Sequence, residues 1–156
     1  MFGPFMFEFA VGLREVTDHE VHLFLDESTL PRSLADEPLL EDARFATVGP
    51  LVDRSSIAFP GRAAITKSLA AFDISVLTEL GPVFGRLTGK EYVFIPTGWD
   101  LKGGPFPLRT RHTRPRGLGD LSAALVAWRL RSGIRAASAI WAAPFLPFVD
   151  AARRLD

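Results

Sequence analysis

The stretch from Gly89 to Asp120 constrains the fold of this chain more than any other. It contains a short apolar segment, Tyr92–Ile95, whose residue types are typical of a β-strand. A loop rich in glycine and proline follows, and Asp120 then stands at a good N-cap position before an apolar helical pattern. The chain must therefore pass from a strand, through a turn-rich loop, into a helix.

The same loop concentrates positive charge. Its basic side chains are Lys102, Arg109, Arg111, His112, Arg114 and Arg116. Carboxylates occur only at the flanks of this run, at Asp100 and Asp120, so the guanidinium groups cannot all pair locally. Because a guanidinium presents a fork that suits carboxylate or phosphate, the run predicts an anion-binding or partner-binding surface. The alternative is a solvated loop, or pairing with acidic residues from elsewhere in the fold.

Charge is divided unevenly along the chain, although 18 basic and 18 acidic residues balance overall. Residues 1–53 hold 11 acidic and 3 basic side chains, a net charge of −8. Residues 54–156 hold 7 acidic and 15 basic side chains, a net charge of +8. Either the two parts neutralise each other within the fold, or they present opposite faces to partners and favour head-to-tail association.

The acidic part contains a candidate docking surface. Proline suits a first helical turn, so Glu37–Pro38 can begin a short helix that runs to Phe45. Its outer face would carry Asp36, Glu37, Glu41 and Asp42. This face either docks a basic partner or is an ordinary solvated helix surface.

Composition bounds the class of protein. A chain of 156 residues with 47% apolar content fits one domain, residues 1–156, with a substantial core. The absence of cysteine excludes disulfides and thiolate metal sites. The longest uncharged run, Ala136–Val149, is interrupted by two prolines and is shorter than the roughly 20 residues of a membrane span. With no basic N-terminal region typical of a signal peptide, we predict a soluble, cytoplasmic protein without a transmembrane span.

Residue periodicity predicts an α+β fold. The expected sheet is antiparallel or mixed, is covered by helices, and is followed by a helical C-terminal third. Strands are predicted near residues 5–13, 47–52, 56–60 and 91–96, and helices near residues 18–27, 61–72 and 120–142. Residues 74–80 and 83–87 are read as short helical turns, with a strand at Ile74–Thr78 as the alternative to the first.

The segment after the first predicted strand contains two histidines. Thr17 and Glu20 have the spacing of a capping box, which favours a helix over residues 18–27. On that helix His19, His22 and Asp26 would share one face and could ligate a metal. On a strand, which the alternation of the same segment also allows, the two histidines would point to opposite faces.

The C-terminal helical pattern carries two apolar stripes. One comprises Leu121, Ala124, Leu125 and Trp128, and the other comprises Val126, Leu130, Ile134, Ala137 and Trp141. Two stripes indicate either a helix that is buried on both sides or a break at Gly133.

No catalytic motif is present: the sequence lacks a phosphate-binding loop, a nucleophile elbow and an HExxH motif. The leading hypothesis is a non-catalytic interaction or assembly protein that needs no cofactor and binds a protein partner or further copies of itself. The second is nucleic-acid or polyanion binding through the 102–116 loop. The third is a metal-dependent enzyme that uses His19, His22 and Asp26.

Overall fold

The polypeptide divides into two compact units, Met1–Asp53 and Arg54–Asp156. A computed structural model describes residues 5–22, 54–102, 104–106, 118–142 and 146–155. Each unit is described by itself, and the single domain spanning residues 1–156 stays a prediction.

The first unit begins with helix α1, Phe5–Val16, and not with the predicted strand. The alternation of phenylalanine was misleading because most of the intervening residues are also apolar, so the pattern fits a helix equally well. Burial does not alternate either: Ala10 is buried, whereas Val11 and Leu13 are both partly exposed. Thr17 closes the last turn, since its backbone N–H and its hydroxyl both donate to the carbonyl oxygen of Leu13, at 3.0 and 2.7 Å.

Thr17 thus ends a helix and does not begin one. Residues 17–22 form neither helix nor strand, so the helix predicted over residues 18–27 is wrong for 18–22. Residues 23–27 lie outside the described residues, as does the strand predicted at 47–52.

The second unit is built from helices around a small sheet. In chain order the elements are α2 (Arg54–Ala58), a 3₁₀ helix (Pro60–Arg62), α3 (Ala64–Leu69), β1 (Ile74–Leu77), α4 (Gly81–Gly85), β2 (Glu91–Phe94), α5 (Trp99–Lys102), α6 (Leu118–Ala136), β3 (Ala139–Ile140) and α7 (Leu146–Arg153). Among these helices and α1, none is long and apolar enough to cross a membrane.

The sheet is parallel, which corrects the antiparallel or mixed sheet expected from the sequence. Its strand order is β1-β2-β3; Ile74 pairs with Glu91 across the first ladder and Phe94 with Ile140 across the second. The physical reason is the length of the connections: residues 78–90 separate β1 from β2 and include helix α4. Parallel neighbours require a crossover of about a dozen residues or more, whereas a hairpin needs only a tight turn.

Two further assignments differ from expectation. Residues 54–58 and 60–62 are helical where a strand was predicted near 56–60. Pro60 occupies the first turn of the 3₁₀ helix, where a backbone N–H would have no partner within the helix. Residues 74–77 form a strand, the alternative reading of that segment, and not a helical turn.

The remaining predicted elements are confirmed with shifted ends. The strand near 91–96 is β2, the helix near 61–72 is α3 with the preceding 3₁₀ turn, and residues 81–85 are helical. Helix α6 covers most of 120–142 but stops at Ala136, and the short strand β3 follows.

The core of the second unit surrounds the central strand β2. Tyr92 and Phe94 of β2 are buried against a group that includes Phe84 of α4 and Leu130 and Ile134 of α6. Each such apolar side chain contributes roughly 1.5–3 kcal/mol by leaving water. The core therefore fixes one face of α6 against α4 and the sheet.

Candidate interaction surface

Several residues singled out in the sequence fall outside the described residues. These are Arg109, Arg111, His112, Arg114 and Arg116 of the basic loop, the acidic set Asp36, Glu37, Glu41 and Asp42, and Asp26 of the metal hypothesis. Lys102 is the last residue of α5. The basic loop and the acidic face therefore stay predictions.

The two described histidines lie in the irregular segment after α1. The Nε2 atom of His22 lies 3.0 Å from a carboxylate oxygen of Glu20. Within the segments that the structure describes, no three histidine, aspartate or glutamate side chains converge on a possible metal position. Since Asp26 is not among the described residues, the predicted metal site is left untested.

Asp100 is a buried carboxylate that sequence reasoning noted only as a flanking charge. It lies in α5, and its two oxygens accept backbone N–H groups from Glu79, Thr97 and Gly98 at 2.8–3.0 Å. Glu79 follows β1 and Thr97 follows β2, so this one side chain ties together the loops after two adjacent strands. Because its acceptors are occupied, we assign Asp100 a structural role.

A sequence signal for this role does exist. Thr97 and Asp100 have the [ST]-x-x-[DE] spacing of a capping box, in which the acidic side chain reaches back to the first residue of the motif. The additional bond to Glu79 arises only from the tertiary fold, and no local pattern predicts it.

Helix α6 shows an exposed apolar stripe. Leu121, Leu125 and Trp128 are 60%, 42% and 55% exposed, and they follow the i, i+4, i+7 spacing of one helix face. The opposite face, with Ala127, Leu130 and Ile134, is buried. Neither sequence-based alternative is right: the helix continues through Gly133 and is buried on one side only. Of the second predicted stripe, Leu130 and Ile134 are buried, whereas Trp141 lies beyond the helix end and is exposed. We call Leu121, Leu125 and Trp128 the α6 stripe.

A small open cavity lies beside this helix. It has a volume of about 310 Å³ and is lined by Ala58, Phe59, Pro60, Gly61, Arg62 and Arg129. The guanidinium of Arg62 lies 5.9 Å from the centre of the Phe59 ring, within the range of a cation–π contact. Arg129 donates a hydrogen bond to the carbonyl oxygen of Ile57, which holds its guanidinium at the cavity. We call this feature the arginine cavity.

The stripe and the cavity are adjacent. Arg129 follows Leu125 by four residues on α6, and such residues are neighbours on a helix surface, with Cβ atoms about 5–6 Å apart. The two features thus combine an exposed apolar patch with two always-charged guanidinium groups. That combination suits an acidic partner that also carries apolar side chains.

Two ion pairs between described residues of the second unit are long and exposed. Lys90–Asp73 and Arg153–Asp150 both have N–O distances of 4.0 Å, and all four side chains are substantially exposed. Exposed pairs at such distances contribute little to stability. The exposed side chains of Arg62 and Lys67 form no ion pair with a described carboxylate.

Tyr92 of β2 is buried and links this strand to α6. Its hydroxyl donates to the carbonyl oxygen of Gly133. Burial raises the pKa of Tyr92 to about 12, although the nearby charge of Arg86 acts in the opposite direction. The phenol is therefore neutral at physiological pH and serves as a hydrogen-bond donor.

Comparison of the chain with protein-family models, curated proteins and solved structures finds no match. Functional inference therefore depends on the charge, burial and geometry described above.

Proposed function

We propose that this protein is a non-catalytic assembly protein, and that the acidic part of one copy docks on the basic part of another. The observation that carries the proposal is a coincidence of two boundaries. The chain divides into its two structural units between Asp53 and Arg54, and the net charge also changes there, from −8 over residues 1–53 to +8 over residues 54–156.

Opposite net charges on two compact units favour association between copies. They attract over roughly a Debye length, about 10 Å at 0.1 M salt, and accelerate the encounter of complementary surfaces. The exposed side chains of Arg62 and Lys67 support this role, because they form no ion pair with a described carboxylate and so leave positive charge available to a partner.

Light scattering of the full-length protein across salt concentrations tests the proposal. We expect species larger than a monomer at about 0.05 M sodium chloride and monomers at about 1 M, because salt screens the attraction. A protein that is monomeric at every salt concentration would refute self-assembly. Binding of a single-stranded oligonucleotide by that monomer would instead favour polyanion binding.

A further inference from the structure

We infer that the α6 stripe and the arginine cavity together form the surface on which the acidic unit of a second copy docks. This inference rests on the proposed function and adds the location and chemistry of the contact.

The apolar part of the surface is exposed on the second unit. Leu121 and Trp128 stand seven residues apart on α6, a separation of about 10 Å along the helix axis. Their side chains are more than half exposed although the opposite helix face is buried. Covering such a stripe removes apolar area from water and supplies the hydrophobic centre that stable interfaces require.

The polar part of the surface selects an acidic occupant. Helix α6 carries three arginines in its second half, Arg129, Arg131 and Arg135, and its one acidic residue, Asp120, lies in the first turn. Arg129 has five N–H donors, and its hydrogen bond to the carbonyl oxygen of Ile57 uses only part of that capacity. Arg62 is exposed and also lines the cavity, so a carboxylate that enters it would meet two guanidinium groups.

Residues 1–53 of a second copy have the complementary chemistry. They hold 11 acidic side chains; the last turn of α1 carries the partly exposed Leu13 and the exposed Glu15, and the exposed Asp18 and Glu20 follow the helix. A segment with apolar side chains beside several carboxylates fits a surface with apolar side chains beside several guanidinium groups. This charge complementarity supports the acidic unit of a second copy as the occupant.

The apolar part is tested with the full-length double variant L121Q/L125Q. Glutamine has nearly the helix propensity of leucine and both sites are exposed, so the variant should fold normally. We expect its self-association in low salt, measured by sedimentation, to weaken at least about tenfold. The matched control is L87Q, which replaces an exposed leucine elsewhere in the same unit and should change affinity by less than about a factor of two.

The charged part is tested with R62E against K67E. Both variants change the charge of the second unit equally at exposed positions, but only Arg62 lines the arginine cavity. We expect R62E to weaken association at least about fivefold more than K67E does.

The outcomes separate this inference from the proposed function. Normal salt-dependent assembly of L121Q/L125Q, or equal effects of R62E and K67E, would overturn the docking surface and leave charge-driven assembly standing. A wild-type protein that stays monomeric in low salt would overturn both. Selective loss of assembly in L121Q/L125Q and R62E supports both.

Discussion

At the scale of single residues, Asp100 connects the chain after β1 to the chain after β2. Glu79, one of its donors, has a φ of 48°, a left-handed conformation that costs a non-glycine residue about 1 kcal/mol or more. The hydrogen bond from the Glu79 N–H to Asp100, at 2.9 Å, helps to hold that conformation. The carboxylate thus helps to hold the shape of the loops at this end of the sheet.

Replacing Asp100 with asparagine should destabilise the second unit by about 1–3 kcal/mol, because an amide NH₂ would face backbone N–H donors. Urea unfolding of D100N measures the change. D150N removes an equal charge from an exposed site and should leave stability unchanged. Equal unfolding curves for D100N and wild type would contradict the role assigned to Asp100.

Tyr92 gives a second test at this scale, because it is the only tyrosine in the chain. In the folded protein, its ionisation measured by tyrosinate absorbance should have a midpoint near 12, against about 10 in denaturant. Since the folded pKa is the higher one, this stabilisation is complete below pH about 10 and is lost as pH rises towards 12. A folded-state midpoint near 10 would show that the phenol is not buried as described.

Sequence reasoning reached these residues only in part. The strand that contains Tyr92 was predicted, because Tyr92–Ile95 is rich in aromatic and branched residues. The bonds from Tyr92 to Gly133 and from Glu79 to Asp100 join residues that are 41 and 21 positions apart. Contacts of that separation follow from packing and leave no local pattern.

At the scale of elements, the packing of α6 on α4 depends on a missing side chain. A Cβ atom added at Gly133 would overlap the carbonyl group of Pro82 in α4. Gly133 therefore marks a close helix approach and not the helix break that its residue type suggested.

Gly133→Ala should therefore destabilise the second unit by about 1–3 kcal/mol, even though alanine favours helices, because overpacking outweighs propensity. Thermal unfolding followed by circular dichroism measures the effect. Gly61→Ala is the control, since a Cβ atom there meets no atom within 4 Å. A G133A protein as stable as G61A would contradict the close approach.

The sequence predicted whether a segment is helix or strand where the hydrophobic period and the length of the apolar pattern indicated the same element. Helix α6 was found because its apolar pattern is long. It begins at Leu118, so Asp120 lies inside its first turn and is not the predicted N-cap, and its exposed stripe was not foreseen. Helix α1 was taken for a strand because its apolar residues fit both the two-residue period of a strand and the 3.6-residue period of a helix. Glu8 is the one charged residue between Phe5 and Leu13. The parallel sheet was missed because β1 was first read as a helical turn, which hid the strand–helix–strand order.

At the scale of the whole molecule, the account depends on charge. The division of charge was visible in the sequence, but its coincidence with a structural boundary required the fold. If the units of different copies attract each other, neutralising either unit should abolish assembly. Assembly should return when a chain with a neutralised acidic unit is mixed with a chain that has a neutralised basic unit.

Mixing two full-length variants tests this most directly. One neutralises acidic residues with E15Q/D18N/E20Q/D36N/E37Q/E41Q/D42N, and the other neutralises basic residues with R62Q/R109Q/R111Q/R114Q/R116Q/R131Q. Circular dichroism first establishes that both fold, and sedimentation in low salt then measures each variant alone and the equimolar mixture. The account predicts monomers for each variant and a one-to-one complex for the mixture, because one complementary pair of units stays intact. Assembly of either variant alone, or a mixture that stays monomeric, would contradict it.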